Sequence, residues 1–251
     1  MKFFVIRAKH LVIALAVLVV FPLLWLGTSN TAQVFKVGDR DLPIYSVQRE
    51  DHKIALTFDC AWNADDVDQI LAALDQYHAK ATFFMVGDWA EKYPDSVVKI
   101  KEHGHELGSH SYKHGDYTKM NEEQLLADMK KCDDVIESIS GVRPNLMRAP
   151  SGGYNNTVVR TVEQSGRMYI QWSVDGLDYP KDATPERIFS RTTEKTADGD
   201  ILLLHNGTAY TAQVLPKILE NLSQKFELVT VSDLVYKDNY TVDRAGRQSK
   251  Q

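Results

Sequence analysis

Five short sets of residues could carry chemistry in this chain. They read Thr57-Phe58-Asp59, His110-Ser111-Tyr112-Lys113-His114, Arg148-Ala149-Pro150-Ser151-Gly152, Asp175-Gly176-Leu177-Asp178 and Leu203-Leu204-His205. Together they offer a carboxylate, two imidazoles four residues apart, a guanidinium, two further acids and a late histidine. A hydrolase that uses a metal ion with a separate base and acid needs these parts. Each set also has a plainer reading. Two histidines at this spacing reach one ion, and neutral imidazole is a common zinc ligand; the same pair also suits a solvated surface. Asp59 serves equally as a helix cap or ion-pair partner. Arg148 is either a structural ion pair or the cation that lowers the pKa of Asp59 and keeps a base ionised. Asp175 and Asp178 are ordinary in a polar loop, and His205, at the end of Ile201-Leu202-Leu203-Leu204, is ordinary as a satisfied core histidine. The argument for catalysis is that the five occur together, each where a strand would end.

The elements that must position these groups alternate in type. The pattern predicts strands over 43–47, 54–58, 81–86, 146–148, 168–172, 201–204 and 228–229, with another short strand leading from Gly104 to His110. It predicts helices over 67–77, from Pro94 to about 103, over 121–139, over 156–164, from Thr184-Pro185, over 212–224, and a short one from Ser232. Asn121 is the expected cap of the longest helix, with Glu122 and Glu123 in its first turn. The tail from Lys237 is polar, without apolar periodicity, and is expected to be frayed. Repeated β–α alternation argues for a parallel sheet covered by helices. No glycine-rich phosphate loop follows the first strand, which counts against a nucleotide-binding sheet. A barrel would aim all the strand ends at one site, whereas an open sheet would spread them along an edge.

Charge and composition narrow the class further. The chain has 251 residues, 43% hydrophobic and 25% charged, which suits one large α/β core. Its net charge is −5, and its first 32 residues hold three cations and no acid, so the remainder stands at −8. So acidic a body lacks the clustered cations that nucleic-acid binding requires. Lys2, Arg7 and Lys9 precede a nearly unbroken apolar run from Leu11 to Leu26. Position and charge favour a signal peptide or anchor over a core helix, with the N-terminus cytoplasmic and the bulk of the chain outside. The weak small-residue match at 27–32 favours an uncleaved anchor over a cleaved peptide. Two cysteines make no disulfide framework. Cys132 shares a helical stripe with Leu125, Met129, Ile136 and Ile139 and reads as core packing.

In this order the motifs Thr-Phe-Asp-Cys, His-Ser-x-x-His, Arg-x-Pro-x-Gly, Asp-x-x-Asp-Tyr and Leu-x-His resemble those of the polysaccharide deacetylase family, the nodulation-type chitooligosaccharide deacetylase domain of carbohydrate esterase family four. The resemblance covers about Lys53 to Leu234. The N-terminal segment and the Thr-Phe-Asp-x-x-Trp form of the first motif resemble the bacterial membrane-anchored branch that works on cell walls or in sporulation. The resemblance implies a distorted, incomplete (β/α) barrel over 53–235, following an anchor at 1–32 and a linker at 33–52, with a polar tail at 236–251. It implies a deacetylase using zinc, cobalt or another divalent metal on a cell-wall glycan such as peptidoglycan. Asp59 would be the base, tethered by Arg148, and His205 the acid, oriented by Asp178. His110 and His114 would hold the metal. The backbone N–H of Ser151 would help hold an oxyanion, and Ser151, Tyr154, Trp172 and Leu203 would contact substrate. An O-acetyl esterase on xylan shares this chemistry, and an inactive glycan-binding wall-assembly module shares the fold.

The chain departs from the family at three positions. Cys60 stands where a second Asp normally supplies the third metal ligand. Ser151 replaces an aromatic residue and Tyr179 a tryptophan. A thiolate from Cys60, a carboxylate from Asp65 or Asp66, or no third ligand are the open readings, an acidic substitute being favoured because catalytic zinc usually has three protein ligands.

Overall fold

The computed structural model describes residues Arg40–Gln251. The anchor expected at 1–32 lies outside the described residues. Among those that are described, no helix is long and apolar enough to cross a membrane.

The fold is organised by one strand. After the short β1 (Ser46–Val47), β2 (Lys53–Cys60) is buried over seven of its eight residues. So continuous an apolar run belongs to a parallel sheet covered on both faces. β2 pairs in parallel with β3 (Ala81–Met85) through Leu56–Cys60 and with β8 (Ile201–His205) through Ala55–Asp59. Its first three residues pair with β9 (Glu227–Val229). β4 (Glu106–Ser109), β5 (Leu146–Met147) and β6 (Met168–Tyr169) extend the sheet beyond β3, and β7 (Val174–Asp175) lies beyond β8.

The sheet curls into a half-barrel. Ile44 accepts from the Gln171 amide and donates to Tyr169, beside the β6 edge, while Val47 donates to Gly199 at the approach to β8. One four-residue segment thus reaches both ends of the sheet. Pleating gives β2 two faces with a period of two. Ile54, Leu56, Phe58 and Cys60 face the helix layer, packing with Ile70 and Leu74 of α1 (Val67–Gln76) and with Leu215 and Ile218 of α7 (Thr211–Leu222). Ala55 faces a second core with Phe84, Ile170 and Ile201, and Thr57 and Asp59 follow it on that side.

The remaining helices start where the sequence marks them. Between β3 and β4 lie α2 (Gly87–Lys92) and α3 (Pro94–Glu102). α4 (Glu122–Ser140) opens on a reciprocal capping box between Asn121 and Gln124 and closes on Gly141 at φ 72°. Asn155 caps α5 (Asn156–Gln164), and Thr184 caps α6 (Pro185–Thr193), whose first residue is proline. The final short helix, α8 (Val231–Leu234), is capped by Thr230.

Several expectations are corrected. α2 is an additional helix, placed by burial of Trp89 and Ala90. The strand expected over 168–172 stops at Tyr169. The strand expected to end at 58 runs to Cys60. The polar tail is not frayed: β10 (Tyr240–Val242) and β11 (Arg247–Lys250) form a three-stranded sheet with β1. Gln248 explains this, since its buried amide accepts from Tyr236 N (2.8 Å) and donates to Tyr236 O (2.7 Å). The linker expected over 33–52 contains β1 and the buried residues Ile44 and Val47.

Candidate active site

Adjacent strands deliver the reactive groups to one end of the sheet. Asp59 on β2 and His205 on β8 are register partners. Arg148 directly follows β5, and His110 directly follows β4. Asp59, His110, His114, Asp175 and His205 line one cavity of about 240 Å³, with Arg148 buried behind Asp59.

Asp59 is 4% exposed and Arg148 fully buried. One guanidinium nitrogen of Arg148 donates to Asp59 Oδ1 (2.7 Å) and Thr57 Oγ1 (2.8 Å), and the other to the Gln171 carbonyl (3.1 Å). The Thr57 hydroxyl donates in turn to the Leu202 carbonyl (2.6 Å). The guanidinium also lies 4.1 Å from the centre of the Phe84 ring. Burial works to raise the Asp59 pKa, but the positive charge of the buried Arg148 outweighs it and holds the carboxyl below the usual carboxylate range. Asp59 is therefore ionised at neutral pH.

His110 is buried, and its Nδ1 lies 2.8 Å from the Arg148 carbonyl. A carbonyl only accepts, so Nδ1 carries the proton. Burial pushes the ring pKa down to about 4, so the imidazole is neutral and Nε2 presents a lone pair. That nitrogen faces Asp59 Oδ2 at 3.4 Å. Two lone-pair donors facing each other invite a cation, and a ring fixed through its other nitrogen is how metal-binding histidines are commonly oriented. The His114 ring stands edge-on to that of His110, 5.1 Å between centroids. His114 adopts φ 55° and Ser111 φ 68°. The two turns double the loop back and bring the histidines together. The donor set thus fits a divalent ion held by two imidazoles beside a carboxylate.

No third ligand joins them. Among the described residues, no group of three His, Cys, Asp or Glu is placed to hold an ion. Cys60 lies on the helix-facing side of β2 in the apolar core, where burial raises its thiol pKa well above normal. Asp66 accepts the Gly207 amide through both oxygens (2.9 and 2.8 Å), and Asp65 is exposed. None of the three lines the cavity.

His205 lies beside Asp59 on the neighbouring strand. Its Nδ1 donates to Asp178 Oδ1 (2.7 Å), and its backbone N–H donates to Oδ2 (2.7 Å). Thr211 donates to the same Oδ2 (2.5 Å). Burial works to lower the His205 pKa, but the hydrogen bond and charge of Asp178 outweigh it and the net shift is upward. Protonated, Nε2 is a competent acid. Ser151 (φ 55°), Trp172 and Leu203 line the cavity. Tyr154 does not; its ring packs edge-on to those of Tyr45 and Tyr169. Thr57 and Thr211 also support the site, the first through Arg148 and the second through Asp178. Thr57 was detectable, since it sits two residues before Asp59 on one strand face. Thr211 had no sequence signal. Trp62 and Tyr179 also line the cavity.

A family model described as polysaccharide deacetylase matches residues 46–170. The peptidoglycan-N-acetylmuramic acid deacetylase PdaC of Bacillus subtilis is 35% identical over 72% of this chain and 38% of its own length. A peptidoglycan-N-acetylglucosamine deacetylase of Bacillus cereus is 33% identical over 76% of this chain and 92% of its own. Among solved structures, a mutant of a CE4 family pseudoenzyme from Bacillus anthracis, with restored enzymatic activity, superposes with a TM-score of 0.73 at 27% identity. That match covers 78% of this chain and 72% of the pseudoenzyme. The chain belongs to the polysaccharide deacetylase family. It spans between 38% and 64% of the length of several other curated relatives.

Proposed function

We propose that the protein is a metal-dependent hydrolase that removes N-acetyl groups from cell-wall glycan, peptidoglycan in particular, and releases acetate. The observation that carries this reading is that Asp59, paired with Arg148, and His205, paired with Asp178, line one cavity together with His110 and His114. One pair favours the ionised form of a carboxylate, and the other favours the protonated form of an imidazole, which is how environment divides base and acid roles.

His110 and His114 would hold the ion, whose Lewis acidity polarises the amide carbonyl and eases deprotonation of water. Asp59 takes the proton of the attacking water at the oxygen not held by Arg148. The N–H of Ser151, a residue that lines the cavity, would help hold the developing oxyanion. Leu203 and Trp172 shape the space for the acetyl methyl. His205 gives its Nε2 proton to the departing nitrogen, while Asp178 holds the ring. The basic, apolar N-terminus supports placing this domain outside the membrane on a single uncleaved anchor, facing its substrate.

One observation favours a second reading. With Cys60 in the core and no third ligand among the described residues, the site resembles a glycan-binding, wall-assembly module with no turnover. Acetate release from N-acetylglucosamine oligomers and from peptidoglycan, with zinc or cobalt added, tests the two. Release supports the hydrolase; glycan binding with no release at either metal supports the module and contradicts the hydrolase.

A further inference from the structure

Five large hydrophobic side chains are exposed among the described residues, and two of them line the one cavity that holds the reactive groups. Trp62 is 47% exposed and Tyr179 51%. Both contact His205. The Trp62 ring centre lies 5.2 Å from that of His205 at 49°, and the Tyr179 ring centre 5.3 Å away at 74°. A group approaching His205 therefore meets two exposed aromatic rings.

Trp62 is also firmly held. It sits in the loop between β2 and α1, and the next residue, Asn63, is fastened from two sides. The Asn63 carbonyl accepts from Asn206 Nδ2 (2.5 Å) and Trp89 Nε1 (3.3 Å). Gly207, at φ 71°, packs so closely on Asn63 that a Cβ there would lie 3.1 Å from its backbone. Asp66 then fixes the Gly207 amide. The indole is presented to solvent on a pinned loop. An apolar surface that is both exposed and preorganised loses little entropy when a ligand covers it.

We propose that Trp62 is a sugar-stacking platform that sets specificity at this site. Its exposed face takes the C–H face of a pyranose ring at the mouth of the cavity, which Tyr179 also lines, so the preferred ligand is an oligosaccharide rather than a lone acetamide. This rests on the glycan reading above and assigns to that reading a residue outside the acid, base and metal-binding groups. A stacking contact of this kind is worth about two- to twelve-fold in affinity.

The test uses binding, not turnover. The N-acetylglucosamine tetrasaccharide is titrated calorimetrically into the metal-free full chain, alongside Trp62→Ala and Trp62→Phe. Trp62→Ala should bind about ten-fold more weakly, while Trp62→Phe, which keeps an aromatic face, should stay within about three-fold of wild type. Both should melt at the wild-type temperature, because the side chain is half exposed. Tetrasaccharide binding by wild type and Trp62→Ala alike overturns this inference and leaves the glycan reading standing. Equal losses in the Ala and Phe variants overturn stacking as the cause. Failure of the wild type to bind overturns both.

Discussion

Arg148→Met tests the electrostatic core of the site. The substitution keeps most of the side-chain stem and removes the guanidinium. Asp59, 4% exposed, would then lose the cation 2.7 Å from its Oδ1, and His110, neutral at pH 7, would not replace it. Breaking a buried pair from one side costs about 3–5 kcal/mol. The penalty should depend on pH, and its sign follows from linkage. In the wild type the Asp59 pKa is lowered, so the pairing stabilises the fold above the unfolded carboxyl pKa and is lost as pH falls through the folded one. In the variant, burial acts unopposed by Arg148 and the Asp59 pKa rises above the unfolded value, so stability recovers as pH falls through that raised pKa. The gap between wild type and variant should therefore narrow from about 4 kcal/mol at pH 7 as the solution is made acidic. Adding Asp59→Asn should recover about 2 kcal/mol or more at pH 7, because the stranded charge is gone. Urea unfolding of the chelator-treated protein at several pH values reads all of this. A loss under about 1 kcal/mol at pH 7, or no relief from Asp59→Asn, would refute the argument.

Three other outcomes follow from the same geometry. His105 is 6% exposed, both its ring nitrogens lack a partner, and burial, followed by Lys80, pushes its pKa down to about 4. Its unfolded pKa is near 6.5, so stability falls as pH drops from that value toward about 4; His105→Leu should flatten that slope by about 3 kcal/mol in urea titrations, and an unchanged slope would contradict it. Deleting 237–251 removes β10 and β11, unpairs β1 and strips the Tyr236 backbone of its buried amide partner. Calorimetry should show a melting temperature lower by about 5–15 °C, whereas a frayed tail would leave it unchanged. Asp178→Asn keeps the shape beside His205 but removes the charge that, against burial, raises its pKa. The alkaline limb of acetate release should move to lower pH, and a stationary limb would remove Asp178 from that role.

What could be read in the sequence was set by where the physical signal is local. β2 and β8 are apolar runs, and the caps Asn121 and Thr184 sit beside the helices they start, so these elements were legible. Asp59, Arg148, His110, His114 and the His205–Asp178 pair were legible as motifs, and the structure brings them together. β10 and β11 were not, because a polar strand ordered by the buried amide of Gln248 has no apolar alternation. Cys60 turned on two residues of strand length. With β2 ending at 58, the thiol would lie in a loop free to turn toward an ion. In fact Cys60 still pairs with Met85, and the two-residue period sends its side chain to the helix layer, opposite Asp59. Thr211 reaches Asp178 across 33 residues of sequence, a contact that no local pattern encodes.

The central claim is that His110 and His114 hold a divalent ion beside Asp59 without help from Cys60. X-ray absorption at the zinc edge, on the full chain loaded with one equivalent of zinc, measures this directly. The predicted shell has two imidazole nitrogens near 2.0 Å, oxygen in the remaining positions and no sulfur. A sulfur scatterer near 2.3 Å, or a shell without imidazole, would contradict the account.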